Sequence, residues 1–326
     1  MLRDWLRAFR VQTLFLTSIG CAMGAATVTK TLFHIDCLKA LIVSSIIHLG
    51  GFLMNEITDL EVDVKSPFLR DKPLVSGAVK VEHAVIVEAI LGLLLVAMVF
   101  LLTPRAAVLA GFAVAAGAIY NFFHHEMPFT GNAAITLWTF LIIVYGGAVA
   151  GCVNQYCLLL AACGALQICF QQGVEGSLKD IGTDRLNIGS LLMGTGKFEV
   201  YAYAIKTINI IAAVTLAFLA GDTVALAIVL LASIAIYFNV AEMLRLGEEL
   251  RKACLSGESL ESLREKRIEV MKKSAIQEVL TYWAACVAVS SVIGRFSAFI
   301  SAVTPLAWYI TINKIVHKAH SLVPRI

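Results

Sequence analysis

The chain alternates long apolar runs with short polar interruptions. A membrane span needs about 20 predominantly apolar residues. Nine runs reach that size, at 11–29, 38–58, 84–102, 105–123, 133–151, 155–174, 199–219, 222–243 and 276–293. A tenth, "FSAFISAVTPLAWYITI" at 296–312, is shorter and broken by Pro305. It reads as a further span or as a helix in the interface. The one long polar stretch, 245–274, has the charge patterning of a helix on either side of Gly257. That predicts a helical hairpin at the membrane surface. The N-terminus starts with basic residues, as a signal peptide does, but its apolar run passes Gly20 without a cleavage site. It reads as a first membrane helix. The pattern predicts an all-α polytopic membrane protein, a bundle of nine transmembrane helices, or ten if the last run crosses. The whole of 1–326 then forms a single integral membrane domain.

Composition sharpens this picture. Of 326 residues, 59% are hydrophobic and only 15% are charged. A soluble domain carries about 25% charged residues, so this chain has too few to cover an aqueous surface. The net charge of +3 is mild. No run of Lys and Arg interleaved with aromatics occurs, and a nucleic-acid partner is not expected. The eight cysteines form no CxxC pair. Zinc and dithiol chemistry are therefore disfavoured, and cysteine reads as a small core residue.

Lys and Arg are enriched on one side of the predicted topology. With Arg3, Arg7 and Arg10 inside, segments 59–83, 121–132, 175–198 and 244–275 also fall inside, and they hold most of the cations. The outer connections hold little more than Lys30. This bias places the inside-facing segments at the cytoplasm.

Acidic residues close two of the spans on that side. In "NEITDLEVD", Asn55, Asp59 and Asp63 are four apart. Such residues differ by about 40° around an α-helix and about 6 Å along it, so the three stack on one face. Glu56 and Glu61 point elsewhere. In "KDIGTD", Asp180 and Asp184 repeat the step. Two carboxylate ladders at one mouth repel each other unless cations intervene. Oxygen ligands completed by water and phosphate suit Mg²⁺. Arg70 and Lys72 follow the first ladder, and Lys179 and Arg185 flank the second. A divalent metal with Lys and Arg is what a diphosphate needs, both for neutralisation and as a leaving group.

The run N-x-x-x-D-x-x-x-D followed by "RDKPLVSG" resembles the first signature of the UbiA superfamily of intramembrane prenyltransferases. "KDIGTD" resembles its second aspartate motif, "IYNFFHHEMPFTGNAAIT" its Tyr-led loop, and "AFRVQTLFL" its first-helix Arg. Three positions depart from the family pattern. Glu56 stands where Asp is usual, and Phe123 and His125 stand where Lys is frequent. His124 and His125 read as interfacial polar residues.

The resemblance implies a helical bundle around a central cavity, capped by the two aspartate loops. It implies Mg²⁺ held by Asn55, Asp59 and Asp63 and by Asp180 and Asp184. An isoprenyl diphosphate donor would meet Arg10, Arg70, Lys72 and Lys179, and Tyr120 would face the allylic cation. A lipophilic acceptor, either an aromatic or quinone precursor or a glycerol-phosphate lipid, would take the isoprenyl group and release diphosphate.

Two other classes compete. A lipid phosphoalcohol transferase also uses membrane-end aspartates, but it needs an Asp-Gly and Ala-Arg pattern that is missing here. An ion-coupled transporter places its carboxylates near the midplane, whereas these ladders sit at one end with cations beside them.

Overall fold

A computed structural model describes residues 2–65, 69–99, 102–182 and 186–317. Among these residues the regular structure is entirely helical. The helices are α1 (Leu2–Ala8), α2 (Val11–Thr29), α3 (Ile35–Thr58), α4 (Leu60–Asp63), α5 (Val81–Val99), α6 (Pro104–Phe123), α7 (Pro128–Val149), α8 (Gln155–Phe170), α9 (Gly176–Lys179), α10 (Ile188–Leu192), α11 (Lys197–Leu219), α12 (Thr223–Leu255), α13 (Leu260–Ala288), α14 (Ser290–Ile293) and α15 (Arg295–His317). A π-helical turn, Gln171–Glu175, joins α8 to α9. Among the described residues, eight helical stretches are long and apolar enough to cross a membrane: α2, α3, Val81–Met98, α6, α7, Gln155–Lys179, α11 and α12. The protein is a multi-pass integral membrane protein.

Local signals set the boundaries. Thr103, Asn154 and Asp222 cap α6, α8 and α12 by accepting from the backbone N–H three residues on. Each satisfies an otherwise orphaned donor. Pro104 and Pro128 occupy first-turn positions of α6 and α7, where a missing N–H costs nothing.

Small residues let the central helices touch. A Cβ at Gly146 would lie 1.9 Å from the Cys21 carbonyl oxygen, and one at Gly24 would lie 2.2 Å from that of Ile143. The backbones of α2 and α7 therefore meet directly, the close approach that membrane helices use where no hydrophobic effect drives them together. Cys21, Cys37, Cys157, Cys163 and Cys286 are buried free thiols, small core residues as expected.

The polar hairpin forms as predicted, but it is not a separate surface element. α12 runs 33 residues, about 50 Å at 1.5 Å per residue, well beyond a hydrocarbon core of about 30 Å. Gly257, at φ +73°, turns the chain. α13 then returns as one 29-residue helix whose second half holds most of the ninth predicted span. Asn239 Nδ2 donates to Lys273 O (2.6 Å) across the pair.

The tenth run packs along the bundle. α15 lies antiparallel to α2 over its full length. Leu32 N donates to Ser297 Oγ at one end (3.2 Å), and Trp308 Nε1 donates to Val11 O at the other (2.8 Å). Pro305 is accommodated within the helix. The starts of α2, α7 and α11 and the ends of α3, α6 and α15 therefore share one pole of the bundle.

Candidate active site

At that pole a cavity of about 230 Å³ is lined by residues from several separate segments. Asn55 and Asp59 come from the end of α3, Arg10 from the α1–α2 break, and Lys72 from the loop after α4. Tyr120, His124 and His125 come from the end of α6, and Lys179 and Asp180 from α9. The two aspartate motifs thus face one space.

Each wall has a local cause. Arg10 sits in the left-handed region (φ +45°), an uncommon state for a side-chain-bearing residue and a form of backbone strain that recurs at functional sites. The turn sends its guanidinium to Asn55 Oδ1 (3.3 Å) and Glu56 Oε1 (3.2 Å). The π turn at Gln171–Glu175 carries the chain from α8 to the second motif. Such single turns often mark functional sites. A Cβ at Gly173 within it would lie 2.5 Å from the Tyr201 hydroxyl and 2.7 Å from Asn132 Nδ2, so a larger residue there would displace both side chains. Asn132 in turn donates to that hydroxyl (2.6 Å).

The predicted residues fall into three groups. Asn55, Asp59, Asp180, Tyr120, Lys72, Lys179 and Arg10 line the cavity. Asp63 does not; it is buried beneath the rim, where Lys72 Nζ reaches its Oδ2 (2.5 Å). Arg70 is exposed and is not among the residues that line this cavity. Asp184 and Arg185 lie outside the described residues.

One expectation is corrected. Glu56 does not point away: it is buried and paired with Arg10 and with Lys72 Nζ (3.1 Å). Its longer arm, compared with Asp, reaches both cations. The histidines reach the first acidic motif. His125 Nε2 lies 3.1 Å and His124 Nε2 3.5 Å from Asp59 Oδ1. The four-residue acidic spacing is visible in the sequence, but nothing in it reveals that the end of α6 meets the end of α3.

Burial opposes charge on Asp59. The hydrogen bond with His125 and the nearby positive charge outweigh it, and the carboxyl is held below its ordinary range. Burial pushes the His124 imidazole below its usual value. An ionised Asp59, with Asp180 and the Asn55 amide oxygen around the same cavity, fits a divalent cation. Asp59, His124 and His125 also offer ligand atoms within 4.8 Å of one another.

A second cavity, of about 190 Å³, lies between α2, α7, α8 and α13 and is mostly apolar, with Leu16, Met23, Trp138 and Ile142 among its walls. Gln171 lines it, while Gln172 lines the polar cavity, so the π turn separates the two.

Comparison with known proteins agrees with this architecture. The model of the UbiA prenyltransferase family matches residues 13–255. A digeranylgeranylglyceryl phosphate synthase of Sulfurisphaera tokodaii is 26% identical over 147 residues, 44% of this chain and 52% of that protein. The chain thus spans about half the length of the curated relative it matches. A solved digeranylgeranylglyceryl phosphate synthase superposes with a TM-score of 0.65 at 19% identity, over 90% of this chain and 98% of the other. A UbiA homologue from Archaeoglobus fulgidus, bound to GPP and Mg²⁺, superposes with a TM-score of 0.53 at 15% identity, over 86% and 99%. With the family model covering most of its length, and two aspartate motifs meeting at one pole of a helical membrane bundle, the chain belongs to the UbiA prenyltransferase family.

Proposed function

We propose that the protein is a Mg²⁺-dependent prenyltransferase that moves an isoprenyl group from an isoprenyl diphosphate to a lipophilic acceptor. The acceptor class favoured by its relatives is a glycerol-phosphate lipid. One observation carries the reading: Asp59 and Asp180, far apart in sequence, line one cavity with Arg10, Lys72 and Lys179. That set of charges suits a diphosphate and little else of membrane origin.

Asn55, Asp59 and Asp180 would hold the metal, with Asp63 below the rim and Asp184 of the second motif as further candidates. Mg²⁺ bound there would neutralise the diphosphate and stabilise it as a leaving group. Arg10, Lys72 and Lys179 add fixed positive charge where negative charge develops. The bond from C1 to the bridging oxygen breaks, and its electron pair leaves with the diphosphate. The Tyr120 ring offers a π face to the allylic cation. A lone pair on the acceptor then forms the new bond to C1, and the acceptor releases its proton. The apolar cavity behind the π turn supplies a dry environment for an isoprenyl chain. The excess of Lys and Arg at this pole supports a cytoplasmic active site.

The test is direct. Purified protein in liposomes receives geranylgeranyl diphosphate, a geranylgeranylglyceryl phosphate acceptor and Mg²⁺. Pyrophosphate release and a new lipid product are both expected. Absence of product across a panel of isoprenyl donors and acceptors would overturn the reading.

A further inference from the structure

We infer that Asp59, His124 and His125 form a mixed carboxylate–imidazole site for a divalent ion that accepts nitrogen ligands, of the Mn²⁺, Co²⁺ or Zn²⁺ class. The inference rests on the prenyl-transfer reading only for its location, since ion binding needs no turnover.

The His124 tautomer carries the argument. Its Nδ1 lies 3.0 Å from the Tyr120 carbonyl oxygen. A carbonyl can only accept, so Nδ1 bears the hydrogen. Nε2, the other ring nitrogen, then faces Asp59 Oδ1 at 3.5 Å. A carboxylate oxygen and an imidazole nitrogen turned toward each other in a half-buried pocket are bridged by a ring proton or by a metal ion that takes its place. Histidines that bind metals commonly donate the opposite ring nitrogen to a backbone carbonyl, which fixes tautomer and orientation. His124 has that arrangement.

The neighbours hold the set in place. The Tyr120 ring stacks on His124, with centroids 4.6 Å apart and planes 17° apart. The His125 ring lies against that of His124, with centroids 3.8 Å apart and planes tilted by 37°. His125 Nε2 lies 3.1 Å from the same Asp59 oxygen. The three ligand atoms fall within 4.8 Å of one another. Two ligands of an ion with bonds of about 2.0–2.2 Å lie at most about 4.4 Å apart when opposite and about 3–3.6 Å when adjacent, so the widest pair must draw in by up to about an ångström to close the site. Asn55 lines the same cavity and adds an oxygen donor.

The donor type decides which ion is favoured. Mg²⁺ takes oxygen ligands and keeps its waters. Imidazole nitrogen suits the later divalent ions.

The experiment uses the full-length protein in detergent, stripped of metal and titrated with Mn²⁺ alone. Pulsed EPR of the bound ion should show ¹⁴N coupling from imidazole. The His124→Gln/His125→Gln double variant should lose that coupling and bind Mn²⁺ at least about tenfold more weakly. His124→Asn alone, checked for an unchanged unfolding midpoint, serves as the milder variant and should weaken the coupling. Mn²⁺ bound without ¹⁴N coupling in the wild type, or no Mn²⁺ binding, would overturn the inference. Prenyl transfer is assayed in parallel with Mg²⁺. Coupling without product removes the functional reading and leaves this one standing; product without coupling does the reverse.

Discussion

At the residue scale, the site separates groups that face the cavity from groups that only lie near it in sequence. Asp59 and Asp180 face it from two different helices. Replacing either with Asn keeps the size and removes the charge. Each variant should lower prenyl transfer by about 10²–10³-fold, the usual cost of losing a preorganised electrostatic contact, while the thermal unfolding midpoint stays close to wild type. Arg70 is the counterpart: exposed and outside the lining, it should tolerate Ala with turnover inside about twofold, as surface changes usually do. A large loss in Arg70→Ala with normal turnover in Asp180→Asn would reverse the assignment. Tyr120 separates ring from hydroxyl. Its hydroxyl contact to Gln172 is long (3.4 Å), so Phe should keep most of the activity. Ala removes the π face and should cost about tenfold, in line with a cation–π contribution of about 1–2 kcal/mol. Product formation under saturating donor reads both.

At the element scale, the α2–α7 contact is the tightest test of the bundle. Gly146→Ala would push a methyl group into the Cys21 carbonyl oxygen, which is backbone and cannot swing away. The two helices must separate, at a cost of about 1–3 kcal/mol for overpacking. Gly92→Ala, in α5, meets nothing within 4 Å and should leave stability unchanged or slightly raised. Unfolding midpoints in detergent compare the two, and equal midpoints would refute the close approach. Helix positions were legible from the sequence because apolar length and caps are local properties. The first acidic ladder was legible because a four-residue step is a helical property. What stayed hidden was tertiary. Glu56 seemed to point off the ladder face, yet Arg10 and Lys72 converge on it from two other segments. His124 and His125 gave no periodic signal, because their role depends on where α6 ends against α3. The π turn at Gln171–Glu175 has no sequence rule of comparable strength, since it arises from how α8 meets α7 and α11.

At the scale of the whole molecule, charge and greasy surface together define an orientation. Leu93, Phe112, Leu231 and Phe238 are among the large apolar side chains left exposed, and they lie on the flanks of the spans, where lipid would cover them. The aspartate pole carries Arg7, Arg10, Lys72, Lys179, Arg245 and Arg251 among its cations, and α15 runs back toward that pole, where Trp308 meets the start of α2. The opposite pole holds the short turn with exposed Cys152. Basic residues stay on the cytoplasmic side during insertion, so the two poles should differ in chemical access. In intact cells, a membrane-impermeant maleimide should label Cys152 from outside. A Lys252→Cys variant on a Cys152→Ser background offers a thiol at the aspartate pole, where the native side chain is 70% exposed. It should react only after permeabilisation. The opposite labelling pattern would put the carboxylates on the outer face, away from a cytosolic supply of diphosphate substrate, and would remove the cytoplasmic active site while leaving the bundle itself intact.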